Sequence, residues 1–130
     1  GEFRFGAVWE RKKAPITCEA FEKILPFENS LIQARWSGES AWIPMGQYDL
    51  GVGPENVTTY PSKGEILFHP KGISETEILL VYGHAIFGST AGPLVGNHFM
   101  TITHGTENLS AIGEKVLWEG AQAINIELSA

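Results

Sequence analysis

Short segments in which apolar residues alternate with polar or small ones run along most of this chain, and they limit it to a strand-rich fold. Phe3, Phe5 and Ala7 alternate in this way, as in a half-buried first strand. The same period returns in residues 31–36 and 41–44, on either side of the four-residue turn 37–40. This spacing predicts a β-hairpin.

Further segments predict more strands. Residues 57–60 and 65–69 flank a turn in which Gly64 can supply a positive φ, so they predict a second hairpin. The longest apolar run, residues 77–87, contains Gly83 and predicts a strand with a bend or bulge at that glycine. Later strands are predicted at residues 98–103, 114–118 and 123–128, with a helical turn near 107–111 between the first two.

One segment near the start has helical periodicity. Thr17 is the predicted N-cap, and Phe21, Ile24 and Leu25 lie on one face before Pro26 ends the helix. About eight strands and one or two short helices predict a mainly β barrel or sandwich. A chain of 130 residues has the length of one domain, so residues 1–130 are predicted to form a single unit.

The composition of the chain limits the classes of partner that it can bind. Hydrophobic residues make up 43% of the chain, and the formal net charge is −6. An acidic chain disfavours nucleic acid and anionic membranes, which bind clustered Lys and Arg. The lone Cys18 gives no support for an oxidising compartment, and no apolar run approaches the roughly 20 residues of a membrane helix. We therefore expect a cytoplasmic protein.

Known motifs for cofactors and metals do not occur in the chain. The four histidines, at positions 69, 84, 98 and 104, lack metal-ligand spacing, so no metal site is predicted. Cys18 has no base supplied by a motif, and a packed or semi-exposed thiol is the simpler interpretation. The glycine-containing loop 88–97 leads into a strand rather than a helix, unlike a phosphate cradle. No cofactor is predicted.

Three segments together resemble the framework of cyclophilins. Ala-Pro-Ile-Thr-Cys-Glu-Ala-Phe at 14–21 is similar to their Val-Pro-x-Thr-x-x-Asn-Phe, and Gly-Asn-His-Phe-Met-Thr at 96–101 to their Gly-Ser-Gln-Phe-Phe-Ile strand. Ile-Gly-Glu-Lys-Val at 112–116, followed by Glu-Gly at 119–120, is similar to their Phe-Gly-Lys-Val-x-x-Gly strand. The chain resembles more closely still the small bacterial cyclophilin-like proteins of unknown function, which share Leu-Pro-Phe at 25–27 and Trp-x-Gly-Glu at 36–39.

The resemblance implies a closed cyclophilin-like β-barrel whose isomerase machinery is incomplete. Cyclophilins lower a barrier of roughly 18–20 kcal/mol with an arginine that donates a hydrogen bond toward the prolyl nitrogen. That arginine follows Phe-His in the family, and the corresponding strand here reads Ala-Trp-Ile-Pro at 41–44. Met100 stands where the family has the phenylalanine of the pocket floor, and His98 replaces its glutamine.

A ligand groove is therefore predicted without assigned catalytic residues. Tyr82 with His84, and His98 with Met100, are predicted to lie on single faces of two strands that border this groove. Trp42 is predicted to close one side, and Arg35 points either into the groove or to solvent. The leading hypothesis is a binding or accessory domain for a small molecule or peptide. The alternatives are a prolyl isomerase or related enzyme with an altered site, and a barrel that self-associates as a homodimer.

Overall fold

The computed structural model describes residues 3–34, 36–70, 75–89 and 92–129. These residues form ten strands, two α-helices and one 3-10 helix. In chain order the elements are β1 (Gly6–Trp9), α1 (Pro15–Glu22), β2 (Phe27–Gln33), β3 (Gly38–Gly46), β4 (Val57–Thr58), β5 (Glu65–His69), β6 (Thr76–Ala85), β7 (Gly88–Ser89), β8 (Gly92–Pro93), β9 (Gly96–His104), the 3-10 helix (Thr106–Asn108), α2 (Leu109–Glu119) and β10 (Gln122–Ile126). Neither α-helix of this described part has the length and apolar character needed to cross a membrane.

One antiparallel sheet dominates the fold. Eight strands pair in the order β1-β9-β5-β6-β3-β2-β10, with β4 beside β9, and β7 pairs separately with β8. Strands make up 46% of the structure and the large sheet curls strongly into a half-barrel, so the mainly β prediction is confirmed. Between the described residues of β1 and β10, which stand at the two ends of this strand order, no hydrogen bonds form, and the predicted closed barrel is not confirmed.

Helix α2 packs against one face of the curled sheet, which we call the inner face. It contacts β2, β3, β6 and β10. Its buried residues Leu109, Gly113 and Val116 are spaced by four and three positions, as on one face of a helix. The prediction of a strand at residues 114–118 is therefore wrong. The similarity of residues 112–116 to a cyclophilin strand fails at the same point, because these residues are helical.

Strand β6 is buried on both faces, which explains why the apolar run 77–87 lacks alternation. Ile78 packs in the inner core, whereas its neighbour Leu79 belongs to a second cluster on the outer face. Phe87 and Leu94, from the segment that follows β6, cover this outer cluster. Strands covered on both faces are apolar throughout, so periodicity there carries little information.

The irregularity predicted at Gly83 is confirmed. Gly38 pairs with Ala85 and Ser40 with Val81, so residues 82–84 of β6 lie opposite one residue of β3. A Cβ atom on Gly83 would lie 2.5 Å from Glu39 Oε1. The bulge therefore accommodates the Glu39 side chain beside a residue without one.

Helix α1 begins earlier than predicted. Its N-cap is Ala14, Pro15 occupies the first turn, and the helix ends before Ile24. Thr17 is thus not the N-cap. Its backbone N–H and hydroxyl instead donate to Glu55 Oε1, at 2.5 and 2.7 Å, so a carboxylate distant in sequence satisfies the helix start.

Of the two predicted hairpins, the first is confirmed and the second is wrong. Strands β2 and β3 pair with Ile32 opposite Trp42. Strand β4 pairs with β9 rather than with β5. Next to β4, the Asn56 side chain also donates to β9, at His98 O, over 2.8 Å. Gly64 has the expected positive φ of 91°. The strands predicted at 98–103 and 123–128 correspond to β9 and β10.

Candidate functional site

The structure does not bring the predicted groove residues together. Tyr82 and Met100 are buried in the inner core, whereas Trp42 packs against the outer cluster. His84 is exposed within the bulge of β6, and its backbone N–H donates to Glu39 Oε1 at 2.8 Å. Arg35 lies outside the described residues.

Tyr82 is covered by α2 rather than open to a ligand. Its hydroxyl donates to Gln33 Oε1 at 2.7 Å, and a Cβ on Gly113 would overlap its ring. Burial raises the pKa of the Tyr82 phenol, and the nearby Glu39 charge adds to this effect. This side chain acts as a packed core residue with one satisfied polar atom.

A β-bulge in β9 turns His98 to the outer face. Ile66 of β5 pairs with Met100, but the next residue, Leu67, pairs with His98, so Phe99 is an extra residue in β9. Phe99, Met100 and Ile102 all pack in the inner core. Regular alternation would place His98 with Met100, as predicted; the extra residue makes that prediction wrong.

The same bulge places His98 on one face with Thr101. Its ring nitrogen Nε2 lies 2.8 Å from Thr101 Oγ1, and this hydroxyl donates to Glu10 Oε2 at 2.6 Å. On the other side of the ring, His98 Nδ1 lies 3.9 Å from Glu65 Oε2. We call Glu10, Glu65, His98 and Thr101 the acid–histidine cluster.

Hydrogen bonding assigns the protons in this cluster. A carboxylate only accepts, so the single hydroxyl proton of Thr101 goes to Glu10. The Thr101 oxygen must then accept from His98, which places a hydrogen on Nε2. In a neutral His98, Nδ1 therefore carries a lone pair toward Glu65, and protonation of Nδ1 would create an ion pair there.

The acid–histidine cluster is half-buried and negatively charged. The side chains of Glu10, Glu65 and His98 are 28%, 24% and 18% exposed. Neither carboxylate has an ion pair with a lysine or arginine among the described residues. Arg11, adjacent to Glu10 in sequence, pairs with Glu22 instead, at 3.0 Å. The cluster thus combines two acceptor groups without a matching cation from the described chain.

Its geometry differs from that of a metal centre. Glu10 approaches the Nε2 side of His98, and Glu65 approaches the Nδ1 side, so the oxygens do not converge on one point with a ring nitrogen. Among the described residues, no group of three His, Cys, Asp or Glu side chains is placed to hold a metal ion.

The Cys18 thiol is not accessible at the protein surface. The thiol is buried and donates to Phe99 O at 3.3 Å, and burial raises its pKa, an effect that the Arg11 charge partly opposes. A raised pKa disfavours the thiolate, which is the nucleophilic form. Of the two predicted states of this thiol, packed or semi-exposed, the structure has the packed one.

Comparison with known families shows which family the chain belongs to, but gives no activity. A family profile described as a protein of unknown function, DUF3830, matches residues 1–128. The chain belongs to the DUF3830 family. The match is to this family and not to cyclophilins, so the cyclophilin resemblance is not confirmed. No curated protein matches the chain.

This DUF3830 member also has a shallow apolar cleft. Its volume is about 170 Å³, and its lining residues are Ile24, Phe27, Asn29, Met45 and Tyr48. Asn29 is already engaged, since its amide donates to Pro44 O and its carbonyl accepts from the Ser30 N–H. The cleft therefore offers an apolar surface but few free polar groups to orient a ligand.

In this DUF3830 chain, the sequence pattern predicts His98 as a site residue but does not predict its three partners. Glu10 follows β1, while Glu65 begins β5, and each looks like a solvated charge in sequence. Only the pairing of β1 and β5 on the two sides of β9 brings them together. A signal was present in Thr101, which is the polar residue between the buried Met100 and Ile102.

Proposed function

We propose that this protein binds a small ligand with a positively charged or hydrogen-bond-donating group at the acid–histidine cluster. The supporting observation is that Glu10 and Glu65 flank a half-buried His98 with no cation from the described chain in an ion pair with either. Partial burial lowers the effective dielectric, so a charge complementary to these carboxylates gains more here than at an open surface.

An ammonium or guanidinium group matches the polar atoms. Glu65 Oε2 and His98 Nδ1 both present acceptor lone pairs when His98 is neutral. Glu65 Oε1 is held by the Ser62 N–H at 2.9 Å, which orients the carboxylate before any ligand arrives. A preorganised acceptor reduces the ordering cost of binding.

Two other activities have less support. Prolyl isomerisation needs an open apolar pocket, and Met100 and Tyr82 expose only 5% and 9% of their surface. Acyl transfer through Thr101 needs its proton to pass to His98, but the hydroxyl donates to Glu10. Binding therefore remains the function that the cluster supports best.

Binding can be measured by NMR. We would titrate ¹⁵N-labelled protein with methylammonium chloride and with guanidinium chloride, using sodium chloride at equal ionic strength as the reference. Saturable shifts are expected at Glu10, Glu65, His98 and Thr101. Sodium acetate should leave these signals unchanged, because an anion is repelled by the two carboxylates.

Variants test whether the carboxylates cause the shifts. Glu10→Gln and Glu65→Gln should each weaken binding about tenfold, as expected for the loss of one charge-assisted hydrogen bond. Glu107→Gln, on the exposed 3-10 helix, is the matched control and should bind as the parent does. Absence of saturable shifts, or equal shifts in the doubly substituted Glu10→Gln/Glu65→Gln protein, would overturn the proposal.

A further inference from the structure

Strands β1 and β10 stand at the two ends of the strand order of the sheet, and they differ in how they resist pairing. Edge strand β1 spans four residues, pairs with β9 through a register shift between Gly6 and Ala7, and is followed by the basic residues Arg11, Lys12 and Lys13. Irregular pairing and nearby positive charge are the usual devices that keep a sheet edge from adding another strand. The β1 edge is therefore protected.

Edge strand β10 lacks these devices within the strand itself, and the nearest charge after it in the sequence is the single acidic residue Glu127. Its five residues, Gln122–Ile126, pair with β2 without a register shift, and they include no charge, proline or glycine. Outside the strand ladder, no backbone hydrogen bond between described residues involves this strand. Its outer row of N–H and C=O groups thus forms a regular template for one more antiparallel strand.

Apolar side chains lie at both ends of β10 in the sequence. Leu117 and Trp118, at the end of α2, are 51% and 80% exposed, and Leu128, after the strand, is 56% exposed. In an antiparallel pair of identical strands, the start of one strand lies beside the end of the other. Leu128 of one copy would then be near Leu117 and Trp118 of the second copy.

We infer that β10 is a self-association edge, and that its occupant is β10 of a second copy in a two-fold, antiparallel pair. Such an interface is isologous, so each N–H of one copy that donates to a C=O of the other has a reciprocal bond at the equivalent position, and each apolar end meets the complementary end. The uncharged strand is compatible with a second copy, although each chain carries a net charge of −6. The resulting dimer would join two half-barrels into one continuous sheet.

Exposed side chains on β10 provide the test. Ala123 and Asn125 are exposed, so lysines at both positions leave the core intact and place like charges opposite each other across the two-fold pair. We would measure mass by light scattering after gel filtration, from about 10 μM to about 1 mM, a range suited to a small interface. The parent protein should double in mass with concentration, and Ala123→Lys/Asn125→Lys should remain monomeric throughout.

The other sheet edge supplies the matched control. Ala7→Lys adds one of the two positive charges of the β10 variant to an exposed position of β1 and should dimerise like the parent. A parent protein that stays monomeric at the highest concentration would overturn the inference. So would dimerisation that Ala7→Lys abolishes and Ala123→Lys/Asn125→Lys leaves unchanged.

Hydrogen exchange keeps the test decisive if the double lysine variant does not fold. Amide exchange within Gln122–Ile126 of the parent should slow as protein concentration rises, because pairing with a second copy protects the outer N–H groups. Exchange of β1 amides should not change. Concentration-independent exchange of β10 would contradict a pair formed through this strand.

Discussion

Thr101 shows how one proton can organise a site. Its hydroxyl donates to Glu10 and accepts from His98 Nε2, so the threonine links the histidine to a carboxylate that lies 4.0 Å from that nitrogen. The tautomer of neutral His98 is thereby determined, with its free lone pair toward Glu65. At the residue scale, the proposed ligand recognition depends on hydrogen-bond partners that come from three different strands or their flanks.

Tyr82 makes stability depend on pH in the alkaline range. Burial raises its pKa in the folded protein above the ordinary value of 10.0, so the folded state binds its proton more tightly than the unfolded state does. The stabilisation is complete below the ordinary value and is lost as pH rises through the folded value. We expect the free energy of unfolding, measured with urea, to fall above about pH 10.

Phenylalanine at position 82 isolates this effect. Tyr82→Phe should cost about 1 kcal/mol at neutral pH, through the lost hydrogen bond to Gln33, and should lose less stability than the parent above about pH 10. Tyr60→Phe, at a 74% exposed position, is the control and should follow the parent profile. Identical alkaline losses in the parent and Tyr82→Phe would contradict a buried phenol at this site.

Among the secondary-structure elements, the contact of α2 with β6 sets the geometry of the inner core. Gly113 allows the helix to approach the ring of Tyr82, because any Cβ there would overlap it. Leu109 and Val116 are buried on the same helical face and fill the space on either side. A glycine inside a helix is unfavourable by itself, so close packing compensates for its low helix propensity.

The effect of Gly113→Ala on the free energy of unfolding should therefore be opposite in sign to that of an ordinary glycine-to-alanine change in a helix. Propensity alone would stabilise the protein by about 1 kcal/mol. Overlap with Tyr82 should instead destabilise it by roughly 1–3 kcal/mol, as seen for overpacked cores. Urea unfolding gives the difference in free energy directly.

A neighbouring position controls for the helix itself. Glu114→Ala is on the exposed side of α2 and should change stability by no more than about 0.5 kcal/mol. If Gly113→Ala were stabilising, the helix would not be held against Tyr82, and the inner core would need a different arrangement.

Secondary-structure elements were predictable from the sequence where their signals were local, and not where distant contacts decided them. The β2–β3 hairpin was predictable because its turn and alternation are local. The strand predicted at 114–118 is part of α2. The buried face of this helix, Leu109, Gly113 and Val116, includes a glycine, and the sequence does not show that this glycine packs against Tyr82. The bulge at Phe99 has no local signature, because it is defined by pairing with β5.

Across the whole molecule, a single sheet joins the inner core to the outer cluster. Strand β6 contributes Ile78 to one and Leu79 to the other, so the two clusters share a backbone. We expect them to unfold together, consistent with one domain over residues 1–130.

Two adjacent substitutions test this cooperativity. Ile78 and Leu79 are each almost completely buried, so Ile78→Ala and Leu79→Ala should each cost about 2–5 kcal/mol. Both should lower the midpoint of a single unfolding transition. Tryptophan fluorescence and far-ultraviolet circular dichroism should give the same midpoint. An early transition in Leu79→Ala alone, while the inner core stays folded, would show that the outer cluster unfolds independently.

Local patterns in the sequence were sufficient for the mainly β class, the first hairpin, and the strands that became β6, β9 and β10. They were sufficient because alternation, turn residues and glycine preferences act over a few neighbouring residues. Tertiary structure alone decided that the sheet stays open, that α2 is a helix against Tyr82, and that His98 turns outward toward Glu10 and Glu65. Each of these outcomes depends on contacts between elements far apart in the chain. In β9, one extra residue in the strand reverses the face of every side chain beyond it.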